Sequence, residues 1–254
     1  MRSAVIFFVW LASLACAMDF PGEFVQNPEG NLAFSGLPGY KSTPARYLEE
    51  GTAAGFGVAY ARIPGADFQV AGAAVEIGLW KSRVGVFGSY TEMDTLYRQV
   101  YSETDLSLTR SWLIAGVGYG VSVDWLPGEE SWTLNRYKVG FAVLKRPLTF
   151  SGMASLVNQG SFFQMDYGVS LRFDGEIFGT FVEYDGYSVD VGNYLNFSHM
   201  SVISAYRFPE FAISVSLVIS VGGWSLSGAY GDAYPIWDWF GFTVSKTIRK
   251  KTIL

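Results

Sequence analysis

The sequence predicts an all-β fold, a transmembrane antiparallel β-barrel of about twelve strands, with ten or fourteen also compatible. Three observations predict it: strand-length segments that are apolar on every second residue, an export signal at the amino terminus, and too little charge for a surface bathed in water. The clearest segment runs from Phe211 to Val221. Its Phe211, Ile213, Val215, Leu217, Ile219 and Val221 share one face, and Ala212, Ser214, Ser216 and Ser220 share the other, with only Val218 out of pattern. A strand of roughly ten residues, greasy outside and small or polar inside, has the length and period of a membrane-spanning β-strand.

Residues 1–17 carry one basic residue, Arg2, then an apolar run from Ala4 to Leu14, then Ala15-Cys16-Ala17. That order describes a secretory signal peptide cleaved after Ala17, and the apolar run is too short to span a bilayer as a helix. Cys16 offers a second reading, a lipoprotein signal, although Ser13 stands where Leu is usual. Cys16 is the only cysteine and His199 the only histidine, so no disulfide scaffold, thiolate site or histidine metal site is expected, and no cofactor. Charged residues make up 16% of the chain and hydrophobic ones 50%, with 20 Phe, 15 Tyr and 8 Trp. Soluble domains have about a quarter of their residues charged. The net charge of −5 and the lack of a basic patch argue against nucleic acid as a partner. After residue 17 no run reaches the ~20 apolar residues of a membrane helix, which leaves a closed barrel as the way to span lipid. The expected location is the outer membrane of a Gram-negative-type bacterium, with outer-membrane lipid as the surrounding partner.

Alternating segments recur across residues 53–254, the expected barrel. Phe163, Met165, Tyr167, Val169, Leu171 and Phe173 face one way, opposite Gln164, Asp166, Gly168, Ser170, Arg172 and Asp174. From Leu113 to Trp125 the outward set is Leu113, Ala115, Val117, Tyr119, Val121, Val123 and Trp125, opposite Gly116, Gly118, Gly120, Ser122 and Asp124. Further candidates lie at 53–63, 67–80, 83–98, 131–145, 147–157, 177–188, 194–208, 223–231 and 236–248, and 99–108 reads as a connection. Turn chemistry appears at Pro64-Gly65, Arg146-Pro147, Asp174-Gly175, Phe208-Pro209 and Gly222-Gly223. Counting twelve strands from periplasmic termini puts the first four of these on the periplasmic side and the last outside. Trp80, Trp125, Trp132, Tyr184, Trp224, Trp237 and Trp239 fall near segment ends, where aromatic rings anchor barrels at the two membrane interfaces. Residues 18–52 differ in kind, being punctuated by Pro and Gly without strand-length alternation, and read as a periplasmic extension or a plug.

Asn27-Pro28-Glu29-Gly30-Asn31-Leu32-Ala33 resembles the Asn-Pro-Ala-Gly-Leu-Ala type of motif near the mature amino terminus of FadL-like and PorV-like outer-membrane barrels, with Glu29 where those families usually have Ala. Tyr137-Lys138-Val139-Gly140-Phe141, Arg146-Pro147-Leu148 and Asp166-Tyr167-Gly168-Val169 are similar to the middle of the PorV-type group. Members commonly have about fourteen strands. The resemblance implies passage of hydrophobic compounds through the barrel, as in the FadL group, or anchoring of secreted proteins, as in the PorV group. The chain ends on Arg249-Lys250-Lys251-Thr252-Ile253-Leu254 rather than on the terminal aromatic residue common among such barrels.

The inward faces carry Glu76, Asp124, Arg136, Lys138, Asp166, Arg172, Glu183, Asp185, His199 and Arg207 as candidate lumen-lining residues. The acids and bases nearly cancel, which favours internal ion pairs and a narrow or occluded pore over an ion-selective ring. The leading expectation is a non-enzymatic narrow channel for passive transport of small hydrophobic or polar solutes, with residues 18–52 and the inward charges controlling access. The alternative is a structural or secretion-associated barrel binding secreted or periplasmic proteins. A remote third is lipid hydrolysis, since His199 and Ser201 stand two apart as in outer-membrane phospholipase and lipid A deacylase barrels. In those families Asn follows the serine and a polar third member lies further on, whereas here Val202 and Ile213 occupy those places. Purified protein is therefore expected to release no fatty acid from lipid vesicles; hydrolysis that disappears on His199→Ala would revive the enzymatic reading.

Overall fold

A computed structural model describes residues 24–26, 32–34, 52–63, 67–94, 96–160, 162–184, 186, 188–209, 211–233 and 237–249. Two three-residue strands, β1 (Phe24–Gln26) and β2 (Leu32–Phe34), pair antiparallel as a small hairpin. Fourteen longer strands follow. They are β3 (Thr52–Ile63), β4 (Phe68–Leu79), β5 (Ser82–Met93), β6 (Tyr97–Arg110), β7 (Leu113–Trp125), β8 (Trp132–Lys145), β9 (Leu148–Gln159), β10 (Phe162–Asp174), β11 (Phe178–Tyr184), β12 (Val189–Phe197), β13 (Met200–Phe208), β14 (Ala212–Val221), β15 (Trp224–Ala233) and β16 (Trp237–Arg249). Each pairs antiparallel with its neighbours in sequence, and β16 pairs with β3 to close the barrel. Among the described residues no helix is long and apolar enough to cross a membrane.

Alternation sets which face each side chain takes. In β14, Ile213, Val215, Leu217 and Ile219 point out and are exposed, while Ala212, Ser214, Ser216 and Val218 point in and are buried. The outward sets expected for β7 and β10 also face out. Phe211 sits in the preceding turn at φ 56° rather than in the strand, with its ring still outward and exposed. The result is an apolar exterior around a lumen that carries most of the polar side chains, the arrangement a barrel needs in lipid.

The expected twelve strands become fourteen for two local reasons. Tyr97–Arg110, read largely as a connection, is a full strand of 14 residues. Its outward face includes Arg98, Ser102 and Thr104 beside Val100, Leu106 and Leu108, so the apolar period is diluted. The stretch 194–208, read as one strand, is the end of β12, a turn at Ser198-His199, and β13. Neither turn residue is Gly or Pro, so nothing in composition marked the reversal.

Two more strands shift the sides of the turns. Arg146-Pro147, Asp174-Gly175 and Gly222-Gly223 share the end at which β3 begins and β16 finishes, whereas the β3–β4 connection and Phe208-Pro209 lie at the other end. Pro64 and Gly65 themselves are outside the described residues. At the first end the pairs Leu79↔Ser82, Arg110↔Leu113, Lys145↔Leu148, Phe197↔Met200 and Val221↔Trp224 each close on a two-residue turn. Trp80 (φ 57°), Ser111 (φ 58°), Gly222 (φ 59°) and Gly223 (φ 79°) supply the positive φ that turns matching the strand twist require.

The other end is uneven. β10 pairs with β9 from Phe162 to Phe173, but with β11 only from Val169 to Asp174, because β11 has just 7 residues. The wall is lowest at β11, and Phe162 to Gly168 have no β11 partner in the ladder. A charge on the outer face meets lipid, so Leu217→Arg is expected to lower folding stability in bilayers by about 2–4 kcal/mol, while Ser216→Ala on the lumen face changes it by less than about 1 kcal/mol; chemical unfolding of vesicle-inserted protein measures both.

Candidate lumen site

Because β4 to β8 place every second side chain inward, they gather one charged arc. Glu76 on β4 accepts from Arg83 on β5, with Nε to Oε2 at 2.5 Å and both side chains 3% exposed. On β6, Glu103 lies 2.7 Å through Oε2 from Lys138 Nζ on β8, and Asp105 is buried two residues along the same face. Tyr101 donates its hydroxyl to Glu103 and lies under Arg136, whose guanidinium carbon is 5.8 Å from the ring centroid. Arg136 and Lys138 stand opposite Gly120 and Gly118 of β7; the Tyr101 ring lies where a side chain of Gly120 would be, beneath Arg136, and Lys138 reaches past Gly118 to Glu103 on β6.

A second arc runs from β9 to β13. Arg207 on β13 meets Asp190 on β12 through two parallel hydrogen bonds, Nε to Oδ1 at 2.9 Å and Nη2 to Oδ2 at 3.0 Å. Both residues are 5% exposed or less, and a bidentate pair is the geometry that best offsets desolvating two charges. Glu183 stands beside Asp190 in the β11–β12 ladder. Arg172 donates to Asp174 at 2.9 Å, Thr149 donates to the same carboxylate at 3.1 Å, and Tyr194 donates its hydroxyl to it as well. The rings of Tyr194 and Phe181 lie where side chains of Gly179 and Gly192 would be, so these two glycines are needed for close approach.

Between these arcs the lumen changes character. From β13 to β16 many inward residues are small, Ser201, Ser214, Ser216, Ser225, Thr243 and Ser245 all being buried, while Ile203 and Val218 pack with Phe181, Tyr194 and Ala205. On β16, β3, β4 and β5 the inward Ala61, Ile63, Phe68, Val70, Phe87 and Trp239 form a buried apolar cluster, with Glu76 and Arg83 further along β4 and β5. β2 lies beside β15, β16 and β3.

Several expected lumen residues fall into place and others do not. Glu76, Lys138, Arg172 and Arg207 enter ion pairs, and Arg136 and Glu183 lie beside such pairs. Asp124 is buried at the far end of β7, accepting from Tyr97, from Gln99 at 2.8 Å and from Ser122 at 2.9 Å. Asp166 is half-buried and accepts from Gln164 at 2.9 Å. Asp185 lies outside the described residues. His199 is not a lumen residue: it occupies the exposed β12–β13 turn, while Ser201 points into the lumen and is buried. A His at a two-residue turn does not share the strand face of a residue two positions on, which removes the geometry of a hydrolytic pair. Trp239 likewise belongs to the inner apolar cluster and not to an interfacial girdle, whereas Trp80, Trp125 and Trp224 are exposed near strand ends as expected.

Arg83, Glu103, Asp105 and Asp190 were absent from the expected lumen residues, and Asp174 was read on the inward face of its segment without being counted among them. Glu103, Asp105 and Asp190 sit on the strands that composition had merged or hidden, and Arg83 and Asp174 sit at strand ends. Their signal was alternation itself: Arg83, Gly85, Phe87, Ser89 and Thr91 fall on one face of β5. No group of three or more potential metal-ligating side chains is found among the described residues.

Removing one partner of a buried pair leaves the other charge stranded, so Asp190→Ala is expected to cost about 3–5 kcal/mol in urea unfolding, with Arg207→Met added to it recovering most of the loss. No family model matches the chain, and no curated protein matches it. Solved structures do. The toluene transporter TodX of Pseudomonas putida aligns at 9% identity over 81% of this chain and 92% of its own, with a TM-score of 0.51. The KdgM porin aligns at 8% identity over 77% of this chain and 99% of its own, with a TM-score of 0.47. LpxR from Salmonella typhimurium aligns at 8% identity over 76% of this chain and all of its own (100%), with a TM-score of 0.45. At such identities the likeness concerns the fold: a closed antiparallel barrel of the outer-membrane type.

Proposed function

We propose that this protein is an outer-membrane channel with a narrow, guarded lumen that passes small hydrophobic solutes by passive transport. The observation that carries the reading is the apolar cluster inside the lumen, where Ile63, Phe68, Val70, Phe87 and Trp239 point inward from four adjoining strands. A barrel that passes only water-soluble solutes has no need of an apolar inner wall, whereas a small apolar solute gains by leaving water for such a surface. The serine wall beside it supplies polar contacts, and the Ser214 and Ser245 hydroxyls are buried without a protein partner among the described residues. The named function of TodX, toluene transport, agrees with a solute of this class.

The charged arcs hold the lumen narrow. Their ions are tied to one another along the wall, which leaves little free charge to attract or select ions. Residues 18–52 act as the guard. Small inward residues at the closing seam, such as Ser225, Thr243, Ser245 and Ala59, are buried, and β2 is the described segment next to those strands. The nearness of β2 to β15, β16 and β3 supports reading this segment as a plug held inside the barrel.

Proteoliposomes containing the wild-type protein are expected to speed entry of a small apolar fluorophore while swelling little in arabinose, and Phe87→Asp is expected to slow the fluorophore at least about threefold. Unchanged entry with and without protein, together with co-purification of a secreted or periplasmic protein, would replace this reading with the secretion-associated one. Deleting residues 24–34 is expected to increase arabinose swelling and single-channel conductance in planar bilayers; a large steady conductance already present in the wild type would remove the guard.

A further inference from the structure

The two rims of the barrel carry opposite charge. At the end where β3 begins and β16 finishes, the outward or turn-borne basic residues are Lys81, Arg110, Lys145, Arg146 and Lys246. The acidic residue described outside the lumen at that end is Glu176, in the β10–β11 turn. None of Lys81, Arg110, Lys145 and Arg146 has a carboxylate partner among the described residues. Lys81 holds its Nζ 5.6 Å from the centroid of Trp80, which is 91% exposed. Lys246 holds its Nζ 4.8 Å from Trp224 and donates to the Gly222 carbonyl at 3.0 Å. Trp112 is exposed two residues from Arg110. The opposite rim is acidic: Asp94, Glu129, Glu130, Asp232 and Asp238 are exposed there, while Arg62 and Arg98 pair with Asp67 and Glu92.

We infer that the basic rim is a binding girdle for the phosphate headgroups of anionic phospholipids in the leaflet it touches. The five cations are spread around the rim, only Lys145 and Arg146 sharing a hairpin, and so do not converge on a point, which suits a sheet of phosphates better than one compact ligand. Each borders the apolar band. Three carry an exposed indole beside them, and an indole sits with its ring in the acyl boundary and its N–H among headgroups. Cations at that depth are drawn to an anionic leaflet and lose the attraction within a Debye length. The charge difference also orients the barrel, with its basic, short-turn end facing the compartment whose leaflet is phospholipid. The inference rests on the barrel spanning a bilayer but not on what passes through it.

Full-chain protein is reconstituted in vesicles of phosphatidylcholine with a minor share of phosphatidylglycerol, and the lipids retained on it are counted by native mass spectrometry. Wild type is expected to retain phosphatidylglycerol at least about threefold above its bulk share, falling to the bulk share in K81Q/R110Q/K145Q/R146Q/K246Q and, for wild type itself, in high salt. The acidic-rim variant D94N/E129Q/E130Q/D232N/D238N is expected to keep the enrichment. Equal enrichment in wild type and the basic-rim variant, no enrichment in wild type, enrichment indifferent to salt, or its loss in the acidic-rim variant would each overturn the inference. Insertion of wild type into pure phosphatidylcholine, followed by heat-modifiable gel migration, reports separately whether the barrel spans a bilayer. If the basic-rim variant fails to migrate as a folded barrel, the salt dependence of wild type decides alone.

Discussion

Every backbone N–H and C=O in lipid must find a partner within the protein, and that requirement governs this molecule. A sheet with a free edge would leave a row of polar groups facing hydrocarbon, at a cost of several kcal/mol for each. The pairing of β16 with β3, from Phe240↔Arg62 to Arg249↔Thr52, removes that edge. With the backbone satisfied in this way, side chains divide by the two-residue period alone, one set for lipid and one for the lumen. The low wall at β11 is the one place among the described strands where the ladder falls well short of its neighbour, and it lies beside the buried Asp190–Arg207 pair.

Closure creates the second problem, which is what to do with the inside. The fourteen strands enclose more room than their small inward residues fill. The solution differs around the circumference: long ions reach over glycines on β7, aromatic rings lie over glycines on β11 and β12, and the apolar cluster packs at β3 to β5. The buried ions are organised by neighbourhood. Asp190 and Arg207 are cross-strand partners in the ladder, whereas Lys138, in line with Gly118 and Asp105, meets Glu103 diagonally across β7, so each pair still depends on register. A slip of one residue would turn these charges into lipid, which makes them strong determinants of register as well as tenants of the lumen.

The functional reading depends on the same division. The interior sets an apolar cluster on one side and paired ions on another, the division on which the proposed passage of small apolar solutes rests, and β2 lies beside the seam of β15, β16 and β3. The outer surface has its own asymmetry, with basic residues at the level, short-turn rim and acidic residues at the uneven one. That pattern matches a membrane whose two faces are chemically unlike.

Much of the barrel was legible from residue order because a two-residue period survives in any strand with lipid on one side. β7, β10 and β14 announced their faces completely, and the lumen residues Glu76, Asp124, Lys138, Arg172 and Arg207 followed from phase alone. Phase failed where lipid-facing positions are polar, as at Ser102 and Thr104 of β6, and where a turn uses Ser198-His199 instead of Gly or Pro. Those local ambiguities cost two strands, three lumen acids and the side of several turns. Which charges pair, that His199 lies outside, and that Trp239 points inward could be decided only by the folded barrel. Pairing depends on register between strands, and register is a property of neighbours brought together by the closed ladder, which no single segment encodes.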